Sequence, residues 1–309
     1  GIIFSETECV SAGTFTQNSV VSPSVTWTKE VLREKKLRAV VVNSGCANCA
    51  VGNQGYIDAK ETAKIASNSL SIDLESIAVA STGIIGVELP MALMRKYIPK
   101  IELSKNDGSG FARSILTTDK RTKEIAVSFD HEGSEITVAG VAKGSGMIHP
   151  NMATMLSFIT SDISIDETTL REVLTLSVNK SFNQISVDGD QSTNDTVLAM
   201  ANGEAQNKKI TSLEDASVFQ EAMDQVCIFL AKEIAKDGEG NTRLIEASIS
   251  GAKTLEDARK AARFIVSSNL VKTAVYGRDP NWGRIMMAVG ASQIELDESK
   301  IEIFVNDIQ

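Results

Sequence analysis

The sequence predicts an α/β fold, and three observations carry that prediction. Short apolar runs rich in β-branched residues alternate with amphipathic helical segments. Each run closes on glycine, serine or asparagine turn residues. The 309 residues are 42% hydrophobic and 23% charged, a balance that can build a sizeable core and excludes global disorder. At roughly 150 residues per domain, the length suits two domains or one large α/β unit.

The elements follow in order. Leu37 to Val42 (LRAVVV) reads as a buried strand ending in the turn Asn43-Ser44-Gly45. Tyr56 to Leu70 reads as a helix with an Ala/Ile stripe, and Ile77 to Ala80 as a second buried strand ending at Ser81-Thr82-Gly83. Glu124 to Phe129 and Glu135 to Val141 form a hairpin pattern across His131-Glu-Gly-Ser134. Thr154 to Thr160 is a further apolar strand. Asp166 caps a helix running to about Phe182. Ala216 to Lys236 is a long amphipathic helix stopped by Asp237-Gly-Glu-Gly240. Leu244 to Ser250 reads as a strand, Leu255 to Ser268 as a helix with an acidic start, and Lys300 to Val305 as a final strand.

Composition excludes several classes of function. The net charge is -9, from 31 Lys+Arg against 40 Asp+Glu, which argues against a nucleic-acid partner. No apolar run approaches the roughly 20 residues that cross a bilayer, so no membrane association is expected. Gly1-Ile-Ile-Phe4 does not read as a signal peptide, so a cytoplasmic location is expected. Cys9, Cys46, Cys49 and Cys227 are too few for a disulfide scaffold. With two histidines, His131 and His149, a His-rich zinc site is not available.

Several motifs have plain structural readings. No GxxxxGK[ST] is present, and Gly144-Ser-Gly146 and Gly238-Glu-Gly240 lack the third glycine of a dinucleotide loop. Cys46-Ala-Asn-Cys49 reads as small cysteines buried in a turn. Ser177-Val-Asn-Lys180 matches SxxK but lies within a helix. Asp188-Gly-Asp-Gln-Ser-Thr-Asn-Asp195 lacks the sixth-position glycine and twelfth-position glutamate of a calcium loop, so it reads as a turn bonding its own backbone, with no metal expected.

Lys143-Gly-Ser-Gly-Met-Ile-His-Pro-Asn-Met-Ala-Thr-Met-Leu156 is the most unusual stretch. It reads either as a loop entering a strand, or as a site where backbone cleavage before Thr154 frees a nucleophile. A threonine hydroxyl needs a base. In a chain poor in histidine, a freed α-amine with a pKa of roughly 7.7–8.0 suits that task.

That stretch closely resembles the signature of the ornithine acetyltransferases, the ArgJ-type glutamate N-acetyltransferases of arginine biosynthesis. Further blocks agree in order, among them Ala12-Gly-Thr-Phe-Thr16, Ser81-Thr-Gly-Ile-Ile-Gly86, Leu116-Thr-Thr-Asp119, Ser192-Thr-Asn-Asp-Thr196, Lys236-Asp-Gly-Glu-Gly240 and Asp279-Pro-Asn-Trp-Gly-Arg284. The resemblance covers nearly the whole chain. It implies a stacked αββα sandwich like that of the DmpA/ArgJ N-terminal-nucleophile proteins, with a second, smaller α/β lobe. It also implies autocleavage between Ala153 and Thr154. Residues 1–153 would then form an α segment and 154–309 a β segment, assembled as (αβ)₂.

Under this resemblance Thr154 is the nucleophile of a ping-pong reaction. It takes acetyl from N-acetylornithine, releases ornithine, and passes the acetyl group to glutamate to give N-acetylglutamate. The Thr82 hydroxyl and Gly83 N–H form the oxyanion hole. Lys143, Glu239 and Thr117, with Thr118 as second choice, contact substrate together with Thr154. No cofactor is needed, and some members also accept acetyl-CoA. Cys46 and Cys49, at the further matched block Val42-Asn-Ser-Gly45, and His149 depart from the family pattern. So does the end of the chain, where the family's tail supplies an Asn and a Ser/Thr to the pocket and no segment here matches. Two other readings remain: an N-terminal-nucleophile amidase or aminopeptidase that passes the acyl group to water, and an uncut amino-acid-binding module.

Overall fold

A computed structural model describes residues 1–34, 36–149, 155–306 and 308. Its strands are β1 (Ile2–Phe15), β2 (Leu37–Cys46), β3 (Ile77–Ile84), β4 (Lys123–His131), β5 (Ser134–Lys143), β6 (Leu156–Ser161) and β7 (Thr196–Ala201). Its helices are α1 (Pro23–Glu34), α2 (Gln54–Leu70), α3 (Met91–Tyr97), α4 (Gly108–Ser114), α5 (Glu167–Lys180), α6 (Ser217–Lys236), α7 (Leu255–Ser267), α8 (Asn269–Tyr276) and α9 (Trp282–Ala291).

The strands join in the order β3-β2-β1-β7-β6-β5-β4. β2 and β3 are parallel, as are β6 and β7, and the other pairs are antiparallel. β1 is the shared element. Ile2–Phe4 pair with β2, Val10–Phe15 pair with β7, and the register breaks between Phe4 and Cys9. At that break the ladder doubles back into two stacked layers. One core cluster therefore mixes residues from β2 and β3 (Val40, Val42, Ile77, Val79) with residues from β6 and β7 (Leu156, Phe158, Leu198, Met200). α1 and α2 cover the outer face of the first layer with Trp27, Val31, Ala59 and Ala63. α5 and α6 cover the second with Leu170, Leu174, Val226 and Leu230, against Val197, Ala199 and Ile159. The layers are α, β, β, α, as the resemblance implied. Successive residues of β7 alternate between the two cores because side chains alternate along a strand. Burial on both faces explains the unbroken apolar runs.

Local signals account for several boundaries. The Asp166 carboxylate accepts the Thr169 N–H at 2.9 Å and starts α5. Thr254 caps α7 in the same way through the Asp257 N–H at 3.0 Å. Glu132 and Gly133, both at positive φ, turn the β4–β5 hairpin where it was expected.

Two expected strands are absent from the ladders. Leu244–Ser250 forms no strand, and Ala247 and Ile249 lie on the small cluster of Ile265, Val271 and Ala288 from α7–α9. Alternation reports a half-buried segment, and here helices rather than a partner strand cover it. Lys300–Val305 contributes a single bridge, Val305 to Ile308. The described part of the smaller lobe is therefore helical. No described helix is long and apolar enough to cross a membrane.

Candidate active site

β2 and β3 end side by side, with Ser44 opposite Thr82 and Gly45 opposite Gly83. Gly83 has a φ of +132°, and a Cβ there would lie 2.2 Å from the Gly45 carbonyl carbon. Only glycine allows this approach. It holds Thr82 at the carboxyl edge of a parallel pair, where α/β layers gather ligand-binding groups.

Lys143, the last residue of β5, reaches the same point. Its Nζ donates to Thr82 Oγ1 at 3.2 Å and to Thr117 Oγ1 at 2.9 Å. The side chain is nearly buried, and Asp119 Oδ2 stands 3.9 Å away. Burial pushes the Lys143 pKa below the usual lysine value, while Asp119, Asp195 and Glu239 pull it back up. Lys143 also pairs across the ladder with Leu156, two residues beyond Thr154. Ala153 and Thr154 themselves lie outside the described residues.

A buried ion cluster holds these groups in place. Lys123 is 1% exposed and donates to Asp119 Oδ1 at 2.7 Å and Asp237 Oδ2 at 2.6 Å. Asp119 also accepts the backbone N–H groups of Gly144, at 2.7 Å, and Thr117, at 3.2 Å. Asp237 accepts the Lys120 N–H at 3.0 Å. One ammonium thereby ties the Thr117 loop, the start of β4 and the end of α6 together. Burial opposes ionisation of Asp119, but Lys143, Lys123 and the Gly144 N–H outweigh it and hold the carboxyl below its ordinary range.

Glu239 arrives from the turn after α6. Its N–H donates to the Ser145 carbonyl at 3.0 Å, and Ser145 Oγ donates to the Asp237 carbonyl at 2.7 Å. A Cβ on Gly146 would fall 2.4 Å from Glu239 Oε1, so the carboxylate lies over the glycine segment. The structure thus joins Thr82 and Thr117 through Lys143, with Gly83 next to Thr82 and the Glu239 carboxylate acting on the Lys143 charge from over Gly146. Of the two adjacent threonines, Thr117 meets Lys143. Asp119, Lys123 and Asp237 had no role assigned from sequence, although two of them sit in the matched blocks.

The remaining motifs are structural. Cys46 and Cys49 are buried and free, and the Cys46 thiol donates to the Val87 carbonyl at 3.0 Å. Ser177 and Lys180 both bond Asp224 on α6. Asp188 accepts the N–H groups of Met147, Ile148 and Asp190, a turn network that closes on backbone. A cavity of about 590 Å³ between α6, α7 and α8, lined by Ile185, Val187, Ile228, Leu244, Ile249 and Tyr276 among others, shares no residue with the site.

The family model of ArgJ matches residues 1–309. The chain belongs to the ArgJ family. It is 46% identical over 311 residues to the arginine biosynthesis bifunctional protein ArgJ of Oceanobacillus iheyensis, covering 100% of this chain and 76% of that one. It is 48% identical over 309 residues to the ArgJ protein of Thermotoga neapolitana, covering 98% and 78%. Among solved structures, ornithine acetyltransferase of Mycobacterium tuberculosis, complexed with ornithine, matches with a TM-score of 0.45 and 34% identity over 48% of this chain and 81% of that one. The match runs through every block that carries Thr82, Gly83, Thr117, Lys143 and Glu239.

Proposed function

We propose that this chain is an N-acetyltransferase of arginine biosynthesis, cut between Ala153 and Thr154, that moves acetyl from N-acetylornithine to glutamate. The observation that carries this reading is the Lys143 bridge between Thr82 and Thr117, at the end of β5 and opposite the start of β6. Thr154 Oγ attacks the acetyl carbonyl carbon, and its own α-amine takes the hydroxyl proton. The oxyanion receives the Thr82 hydroxyl and the Gly83 N–H. The Thr82 oxygen already accepts from Lys143, which leaves its proton free to donate and puts positive charge beside the developing anion. As the tetrahedral centre collapses, the C–N bond breaks, ornithine leaves with the proton from the amine, and acetyl-Thr154 remains. The glutamate amine then attacks that ester and regenerates the hydroxyl.

Lys143 and Thr117 are suited to a substrate carboxylate, and Glu239 to a substrate ammonium. The bifunctional name of the relatives supports acetyl-CoA as a second donor. We assign the cut segments to an (αβ)₂ assembly in the cytoplasm.

Acceptor choice tests the reading. Purified enzyme with N-acetylornithine is expected to form ornithine and N-acetylglutamate in equal amounts when glutamate is present. Free acetate in place of N-acetylglutamate would mean a hydrolase. No turnover from an uncut chain would mean a binding module.

A further inference from the structure

β3 stands at one end of the ladder, so one of its edges has no strand beside it. The carbonyls on such an edge need donors from elsewhere when they are buried. Side chains supply them at every second residue. From α1, Trp27 Nε1 donates to the Ile77 carbonyl at 3.0 Å and Thr28 Oγ1 to the Val79 carbonyl at 2.7 Å. The third carbonyl in this series, that of Ser81, takes its donor from the other layer of the sandwich. Asn194, two residues before β7, reaches it through Nδ2 at 2.8 Å.

The Asn194 amide is held on every side. Its nitrogen also donates to the Ala47 carbonyl, just after β2, and its oxygen accepts the Thr193 hydroxyl. The backbone beneath it is fixed as well. The Asn194 N–H donates to Ser192 Oγ at 3.0 Å, and the Thr193 carbonyl accepts the Ser22 N–H at 3.0 Å. Asn194 is 6% exposed and Ser81 1%, so the Ser81 carbonyl cannot turn to bulk solvent for a substitute donor. That carbonyl and the Thr82 N–H belong to one planar peptide unit. Holding the carbonyl therefore fixes the plane from which the Thr82 side chain departs and from which the chain runs on to Gly83. Lys143, also from the second layer, holds the same residue at its hydroxyl.

We propose that Asn194 is a positioning residue for the oxyanion pair: it stands in for a neighbouring strand beside Ser81 and sets the orientation of Thr82 and Gly83 relative to the second layer. It touches no substrate and moves no proton. The proposal rests on the reading of Thr82 as an oxyanion donor. Rotation of the Ser81–Thr82 peptide swings the Thr82 hydroxyl away from the developing charge, which exists only in the transition state. The loss of Asn194 is therefore felt in kcat rather than in KM.

The test is a double-mutant cycle between Asn194→Ala and Thr82→Ala. It is read by kcat and KM for acetyl transfer, with thermal melting and intact mass so that rates are taken per folded, cut chain. Asn194→Ala alone is expected to lose about 30-fold in kcat, with KM for N-acetylornithine within about 3-fold of wild type. Added to Thr82→Ala it is expected to cost no more than about 5-fold, because the hydroxyl it positions is already gone. An equal loss in both backgrounds overturns the proposal, since a defect independent of Thr82 gives that result. Wild-type kcat in Asn194→Ala also overturns it, as does a folded Asn194→Ala chain that is never cut, because the side chain would then serve cleavage. If Asn194→Ala does not fold, Thr193→Val takes its place in the cycle, removing the hydroxyl that orients the amide while keeping the volume. It is expected to cost about 10-fold alone and about 2-fold after Thr82→Ala. Equal losses, or no loss, again overturn the proposal. If wild type transfers no acetyl, or Thr82→Ala turns over like wild type, the earlier reading falls instead.

Discussion

Lys143 and Thr82 meet at 3.2 Å although their strands, β5 and β3, stand five places apart in the ladder. At roughly 4.8 Å per strand, a flat sheet would separate them by about 24 Å. The bend in β1 between Phe4 and Cys9 brings them together. The same fold-over creates the sandwich core and the mouth of the site.

The Thr82 hydroxyl is expected to act on turnover and not on folding. Thr82→Ala should lower kcat by about 10²–10³-fold, the usual cost of one oxyanion donor. Its melting temperature should stay near that of wild type, because Thr82 is only partly buried at the strand end. Thr82→Ser should recover most of the loss. Steady-state kinetics with N-acetylornithine and glutamate checks both variants.

Gly83→Ala is expected to be worse than Thr82→Ala on both counts. Its Cβ would meet the backbone of Gly45 and Cys46 and force β2 and β3 apart. Overpacking of this kind costs about 1–3 kcal/mol, to which the strain at φ +132° adds. Urea unfolding measures the loss of stability, and transfer assays should show that turnover falls with it.

Lys123→Met should destabilise the fold by about 3–5 kcal/mol, because Asp119 and Asp237 would keep buried charge without their cation. The loss should be smaller in Lys123→Met combined with Asp119→Asn and Asp237→Asn. Chemical denaturation of the single and triple variants at neutral pH checks this.

Asp119 predicts a specific acid sensitivity. Its folded pKa lies below the ordinary aspartate value of about 3.9. Its stabilisation is therefore complete above that value and is lost as pH falls through the lower, folded pKa. Wild type should lose more stability between about pH 5 and pH 3 than Asp119→Asn does, as read by melting temperature. Equal slopes for the two proteins would remove Asp119 from this role.

Much of this was legible in the sequence, for identifiable reasons. LRAVVV and the run at Ile77 announce β2 and β3 because both strands are buried on both faces. The Asp166 cap and the Glu132-Gly133 turn carry their own chemistry. The matched blocks supply Thr82, Gly83, Lys143, Glu239 and Thr117, and of these Lys143 bonds both Thr82 and Thr117. Other features were hidden. β1 crosses from one layer to the other through Ser5-Glu-Thr-Glu8, whose polar residues do not read as a strand. Leu244–Ser250 has a strand's alternation but lies on helices. Lys123 resembles a surface lysine at a strand start, and its burial depends on Asp237, 114 residues away. Asp195 sits in a polar run where nothing local distinguishes a buried acid from a turn residue.

The central claim is that Thr154 is freed and carries the acetyl group. Intact mass under denaturing conditions, before and after incubation with N-acetylornithine alone, tests it most directly. The account predicts two fragments meeting at Ala153 and Thr154, with one acetyl group added to the fragment that begins at Thr154. A single uncut mass, or two fragments with acetyl on neither, would contradict it.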